Sequence, residues 1–190
     1  INRCNTEYFG DYIMAGTLSV QKIQGLATSA TPTTVEIASG HKISGAAGAI
    51  SVPGQVVQVQ TTASPAFTSS TSTTLVDVFT LNFTPKFSNS LLKIDICCRY
   101  QENGTNYNLK YRVLNDSTTE YDVTNYSAYQ GGATNTIETL TFHVFASAGS
   151  TSARDIKLQM AKYTSGGTFY INPNGQTTEE SRLTVMEIAQ

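Results

Sequence analysis

The chain has 190 residues, 39% of them apolar and only 14% charged, with a formal net charge of −2. A typical soluble domain carries about 25% charge; here Ser and Thr, roughly a quarter of the residues, stand in its place. The 12 basic residues are scattered rather than striped, which excludes a phosphate-tracking surface, and no window reaches the ~18 consecutive apolar residues a membrane helix requires.

The sequence opens at Ile1, and "MAGTLSVQKIQG" from Met14 reads as a natural start. Residues 1–13 are therefore expected to be a processed remnant or an upstream segment. No basic stretch followed by an apolar run marks a secretory signal. From Val35 to Val59 short apolar pulses (Val35, Ile37, Ile43, Ile50, Val52) alternate with Ser, Gly and Ala. Alone, such a stretch has too little to bury to offset its ordering entropy. In a trimer the small residues Gly45, Ala46, Ala47, Gly48 and Ala49 would allow close approach at a common axis, which predicts an extended neck.

The texture changes near "VPGQ", Val52 to Gln55. Beyond it, strand signals recur with turn residues between them. Thr74–Phe83 is rich in strand formers and ends at Thr84-Pro85. Ser90–Tyr100 alternates, with Leu92, Ile94, Ile96 and Cys98 on one face and Lys93, Asp95 and Arg99 on the other, the period of a half-buried strand. "QENGTN" follows, and its Asn-Gly pair predicts a hairpin. The next strand places Leu109, Tyr111 and Val113 on one face. Thr136–Ala146 buries Leu140, Phe142 and Val144, and the run from Arg154 buries Ile156, Leu158 and Met160. A turn at Asn172–Gly175 leads to the last strand, "RLTVMEIAQ". Helix should be scarce, because no segment sustains a 3.6-residue period. Seven or eight antiparallel strands predict an all-β sandwich or jelly roll.

In that last strand Leu183 and Val185 share one face, and Met186 and Ile188 the other. A strand apolar on both sides needs two covers. One is the sandwich core and the other a neighbouring subunit, so all four residues are candidates for a trimer interface.

Little else in the chain points to chemistry. The three cysteines are Cys4, Cys97 and Cys98. An odd count with an adjacent pair is no disulfide framework and suits a reducing compartment. Cys97 and Cys98 should face opposite sides of their strand, with at least one buried. His41 and His143 stand in no metal-ligand spacing, and neither a nucleophile elbow nor a phosphate loop is present. No metal, cofactor or catalytic residue is expected. Asp116, Glu120 and Asp122 lack the spacing of a calcium loop and read as a solvated turn. Glu179 and Glu180 read as a solvated lead-in to the last strand. The Asn-x-Ser/Thr triplets at Asn82, Asn103, Asn115 and Asn125 are as many as this composition yields by chance, so glycosylation is not implied. Tyrosines are the exception. Tyr107, Tyr121, Tyr126 and Tyr129 lie among Asn, Asp, Gln and Glu, offering flat apolar faces with polar edges that suit a sugar ring. Tyr100 and Tyr111 read as ordinary strand residues.

"GQVVQVQTT" from Gly54, the Ser/Thr tract after it, "LVDVFTLNFTPKFSNSLLKIDICCRY" from Leu75 and the closing "RLTVMEIAQ" resemble a module of tailed-bacteriophage virion proteins, marine phages especially. "FTPKFSNSLLKI", Phe83 to Ile94, is the most specific part. The resemblance covers residues 54–190 well and 14–53 loosely. It implies a homotrimeric fibre or spike, made in the host cytoplasm and resident in the virion, with a jelly-roll head resembling the C1q and tumour-necrosis-factor domains. Residues 1–53 would be the anchor and extended β neck, meeting other virion proteins, and residues 54–190 the head. The head would contribute to host attachment, with a surface glycan as its partner. No enzyme activity, nucleic-acid binding or membrane insertion is implied. A capsid or neck decoration protein is the alternative within the family, and a carbohydrate-binding module the alternative outside it.

Overall fold

A computed structural model describes residues 39–40, 52–63, 68–103, 109–124, 137–164, 166–173 and 181–190. The chain divides into two compact units, Ile1–Ser44 and Gly45–Gln190. Only Ser39 and Gly40 of the first are described, so the account concerns the second. Most of the expected neck lies outside the described residues.

Ten strands follow in chain order: β1 (Val56–Ala63), β2 (Thr68–Ser70), β3 (Val76–Phe83), β4 (Leu91–Asn103), β5 (Leu109–Asn115), β6 (Thr118–Val123), β7 (Ile137–Ser147), β8 (Arg154–Lys162), β9 (Thr168–Ile171) and β10 (Arg182–Ile188). They form an all-β antiparallel sandwich. In the first sheet β4 is central. β7 pairs along one of its edges, while β10 and β9 share the other, opposite Leu91–Cys97 and Tyr100–Asn103. β1 then flanks β10 and β2 flanks β9. The second sheet runs β3-β8-β5-β6. Successive strands mostly change sheet, the wrapping of a jelly roll.

This order overturns the hairpin expected at Asn103-Gly104, because β4 and β5 lie in different sheets. Asn-Gly tolerates the backbone of a reversal, but pairing is decided by which apolar faces find cover. The hairpin among these strands is β5–β6, turning at Asp116 and Ser117. Asp116 there adopts a φ of 54°, a left-handed conformation that Asp tolerates better than most residues.

Alternation along the strands builds the core. Leu92, Ile94, Ile96 and Cys98 of β4 face Val113 of β5 and Ile156, Leu158 and Met160 of β8, all buried in one apolar cluster. Complete burial of each such aliphatic side chain stabilises by about 1.5–3 kcal/mol. Cys98 is buried and Cys97 half-exposed, on opposite faces as expected. Tyr100 and Tyr111 are core residues. In β3 a bulge between Asp77 and Phe79 breaks the alternation, so Val78 and Phe79 are both buried.

One inward position of β10 is not apolar. Glu187 is fully buried, opposite Leu92 of β4. Its Oε1 accepts hydrogen bonds from the Phe87 amide at 2.9 Å and Ser90 Oγ at 2.7 Å. Its Oε2 accepts from Gln58 Nε2 at 2.6 Å, and the Lys86 amide is 2.9 Å from both oxygens. Burial alone would raise this carboxyl; the donors outweigh it and hold the group below its ordinary value. The carboxylate thus gathers β1, the β3–β4 turn and β10, one residue group from each of the three stretches that carry the phage resemblance.

The sandwich has two distinct ends. At the near end lie the β3–β4, β5–β6 and β7–β8 connections and the turn from Val52 to Gln55, where Gly54 adopts a φ of 85° and its amide donates to the Ala189 carbonyl at 2.8 Å. At the far end the chain leaves β4 at Asn103 and rejoins at Leu109, and leaves β6 near Thr124 and rejoins at Ile137.

Candidate functional site

The two outer faces of the sandwich differ in chemistry. On the second sheet the outward face is mostly polar, and several of its charged residues satisfy one another. Lys157 Nζ lies 3.0 Å from Asp77 Oδ2, Arg112 lies 2.7 Å from Asp122, and Gln159 Nε2 donates to Asp77 Oδ1 at 2.7 Å. The Gln159 hydrogen bond, opposed by burial and aided by Lys157, holds the Asp77 carboxyl below its ordinary value. Such exposed pairs add little stability, but they leave a face suited to water.

The outer face of the first sheet reads as rows across four strands. Nearest the near end, Val56 pairs with Ile188 and Ile188 with Leu91. The next row runs Val59, Met186, Lys93, Phe145, and the one after it Thr61, Thr184, Asp95, His143. Val56, Val59 and Phe145 are 47%, 54% and 51% exposed. The Phe145 ring meets His143 edge-on at 5.5 Å. Lys93 and Asp95 neutralise each other at 2.8 Å. Farther along, Asp95, Cys97, Thr141, His143, Arg182 and Thr184 line a shallow depression. This face combines apolar side chains with an internally paired charge, and so is the better suited of the two to cover by protein.

Of the four interface candidates, Met186 and Ile188 stand half-exposed on this face. Leu183 and Val185 are fully buried on the inner one. Their expected part in an interface is therefore corrected: they are core residues, because the inward parity of β10 is fixed by its pairing with Ile94 and Ile96 of β4.

The tyrosine candidates divide differently. Tyr107, Tyr126 and Tyr129 lie outside the described residues, in the two connections whose stems open at the far end. Tyr121 is described: it sits on β6 opposite Val113 and is 42% exposed. Its ring lies 6.1 Å from Tyr111 and 5.4 Å from Phe142, which is itself 5.2 Å from Tyr111. Tyr121 therefore closes the open edge of the sandwich between β6 and β7 while keeping part of its ring in solvent. Burial, then the adjoining Tyr121 hydroxyl, pushes the Tyr111 phenol up to about 12.

Sequence reasoning missed the inward charged residues. Glu102 and Lys162 continue the inner-face series of β4 and β8, and Glu187 that of β10. Counting parity through the charged positions, rather than stopping at the last aliphatic, would have found them. Among the described residues no group of three or more His, Cys, Asp or Glu is placed to hold a metal ion, and no helix is long and apolar enough to cross a membrane.

No family model matches the chain, and no curated protein matches it. Among solved structures it is similar to T=1 particles derived from infectious bursal virus, at 15% identity, 70% of this chain, 36% of that one and a TM-score of 0.41. The VP2 subviral particle of infectious bursal disease virus gives 15%, 70%, 37% and 0.40. Dimeric latent PorU from Porphyromonas gingivalis gives 6%, 76%, 14% and 0.43. The chain thus spans little more than a third of the viral proteins and about a seventh of PorU. At TM-scores of 0.40–0.43 these likenesses decide neither fold nor role. The class, an antiparallel β-sandwich of jelly-roll order, stands on the strand pairing alone.

Proposed function

We propose that this protein is a non-enzymatic virion structural protein, the head of a short trimeric fibre or spike that contributes to host attachment. The observation that carries the reading is the contrast between the two outer faces. A free sandwich has no use for Val56, Val59, Phe145, Met186 and Ile188 on one side when its other side is polar and laced with ion pairs. Copies of the chain arranged about a three-fold axis would cover that side and close without growing into a filament. The resemblance of residues 54–190 to phage virion modules supports the same assignment. So does the separation of the two ends: the chain enters beside Ala189, and the stems of the Tyr107 and Tyr126–Tyr129 connections lie at the opposite end. Residues 1–53 would then dock to another virion protein, and the tyrosines would meet a surface glycan.

Sedimentation of the purified full chain tests the assembly, and cryo-electron microscopy of the intact particle tests the address. A trimer with density projecting from the tail is expected. A monodisperse monomer at micromolar concentration would overturn the trimer, and density flat on the capsid shell would replace attachment with decoration.

A further inference from the structure

The near end of the sandwich draws a cation inward as well as an acid. Arg154 opens β8 and begins the inner-face series that continues with Ile156, Leu158 and Met160. It is only 9% exposed. A guanidinium carries five N–H donors and stays charged at any pH a fold survives. Here Nη1 donates to Asn115 Oδ1 at 3.4 Å, and Nη2 to the Ser150 carbonyl at 3.0 Å and to Ser150 Oγ at 2.8 Å. Nε is buried without a hydrogen-bond partner. Every oxygen that accepts from this cation is neutral, and no carboxylate among the described residues pairs with it. A buried charge in that state is costly.

Arg154 lines an open hollow of about 500 Å³ between the β5–β6 turn and the β7–β8 connection, together with Asp116, Thr118, Glu120, Gly149 and Ser150. Asn115, the last residue of β5, ties the walls together. Its Oδ1 faces Arg154, while its Nδ2 donates to Glu120 Oε1 at 3.1 Å and to the Ser147 carbonyl at 3.3 Å. Asp116 Oδ1 accepts from the Asp155 amide at 2.9 Å. Among the described residues the fold thus engages one oxygen of each acid, Oδ1 of Asp116 and Oε1 of Glu120.

This mixture of donors and acceptors selects the chemistry of an occupant. A phosphate or carboxylate would meet Arg154 but also two like charges. An ammonium would meet the two acids but also the guanidinium. A hydroxyl suits both, because it donates and accepts, and its hydrogen bonds to charged partners are the stronger kind. We propose that the hollow binds a neutral, polyhydroxylated ligand the size of one sugar ring, with Arg154 donating to one hydroxyl and Asp116 and Glu120 accepting from others. The site is at the opposite end of the sandwich from the stems of the tyrosine-bearing connections. The inference rests on the sandwich and not on the virion role.

Nuclear magnetic resonance of the full chain tests it, with methyl glucoside, methyl galactoside and methyl mannoside as probes. At least one should shift the Arg154 Nε–H resonance and the amides of Asp116–Glu120 and Ser147–Ser150 in a saturable titration. Arg154→Met should abolish that titration, and Glu120→Gln should weaken it by about tenfold, the difference between a charged and a neutral acceptor. Should Arg154→Met fail to fold, Glu120→Gln decides. Inorganic phosphate and methylammonium serve as charged controls and should leave these resonances in place. Saturable shifts from either control, no shift from any of the three glycosides, or a glycoside titration unchanged in Glu120→Gln would each overturn the proposal.

Discussion

Val59 and Phe145 stand at opposite edges of one sheet face, in a single row that crosses Met186 and Lys93. Each is about half exposed, at 54% and 51%, and each lies on an edge strand. Apolar side chains at both margins of a face, with a paired charge between them, are what a ring of copies would bury.

Met186→Asp or Ile188→Asp is therefore expected to shift the sedimenting species from trimer to monomer while the circular-dichroism spectrum of the sheet persists. Leu183→Asp should instead unfold the sandwich, because a carboxylate in the closed core has no partner; even Leu183→Ala should cost about 2–5 kcal/mol. Trimers that survive Met186→Asp at wild-type affinity would remove this face from the assembly.

Glu187→Ala strips the acceptor from three groups of the β3–β4 turn, the Lys86 and Phe87 amides and the Ser90 hydroxyl. Loss of stability by about 3 kcal/mol is expected in urea unfolding, from buried donors left unmatched. Glu187→Gln, which keeps a neutral acceptor, should lose less. An unchanged midpoint in both variants would mean the turn finds water instead.

The same residue makes the sandwich sensitive to acid. Its folded value lies below the ordinary carboxylate value, so its stabilisation is present above the unfolded value and is lost as pH falls through the folded one. The Glu102 carboxyl, pushed up by burial to about 7, has the opposite sign: its stabilisation is lost as pH rises toward that value. In Glu187→Gln the acid limb of a melting-temperature profile should flatten; a limb as steep as in the wild type would assign acid unfolding to other groups.

Tyr121→Ala should lower stability by about 1–3 kcal/mol, since the ring packs on Tyr111 and Phe142. Tyr121→Phe should be close to neutral. Tyr126→Ala and Tyr129→Ala should leave the melting temperature unchanged but abolish glycan binding on an array. Retention of binding in both variants would take recognition away from these tyrosines.

Much of the fold was legible because period-2 alternation is a local property. The inward series from Leu92 to Cys98 and from Ile156 to Met160 could be read off the chain, and so could the unusual second face of β10. Sheet membership could not. Asn103-Gly104 carries the chemistry of a hairpin, yet the strands on either side of it belong to different sheets, a choice made by the whole core. Buried charges were hidden for a related reason. Glu187 finds Ser90 and Gln58 at separations of 97 and 129 residues, so nothing adjacent to it in sequence announces a partner. For the site, Met186 and Ile188 were readable from parity, whereas Phe145 and Val59 joined them only once strand order was known.

Glu187 has one more consequence, for the fidelity of assembly. A strand such as β10, apolar on both faces, can slide by one residue against β4 and still offer aliphatic side chains to the core. A slip would carry the carboxylate to the outer surface and strand the turn donors, and moving by two would drive it against aliphatic neighbours that offer no proton. The acid at position 187 thus acts as an index mark that lets an otherwise ambiguous strand settle in a single alignment.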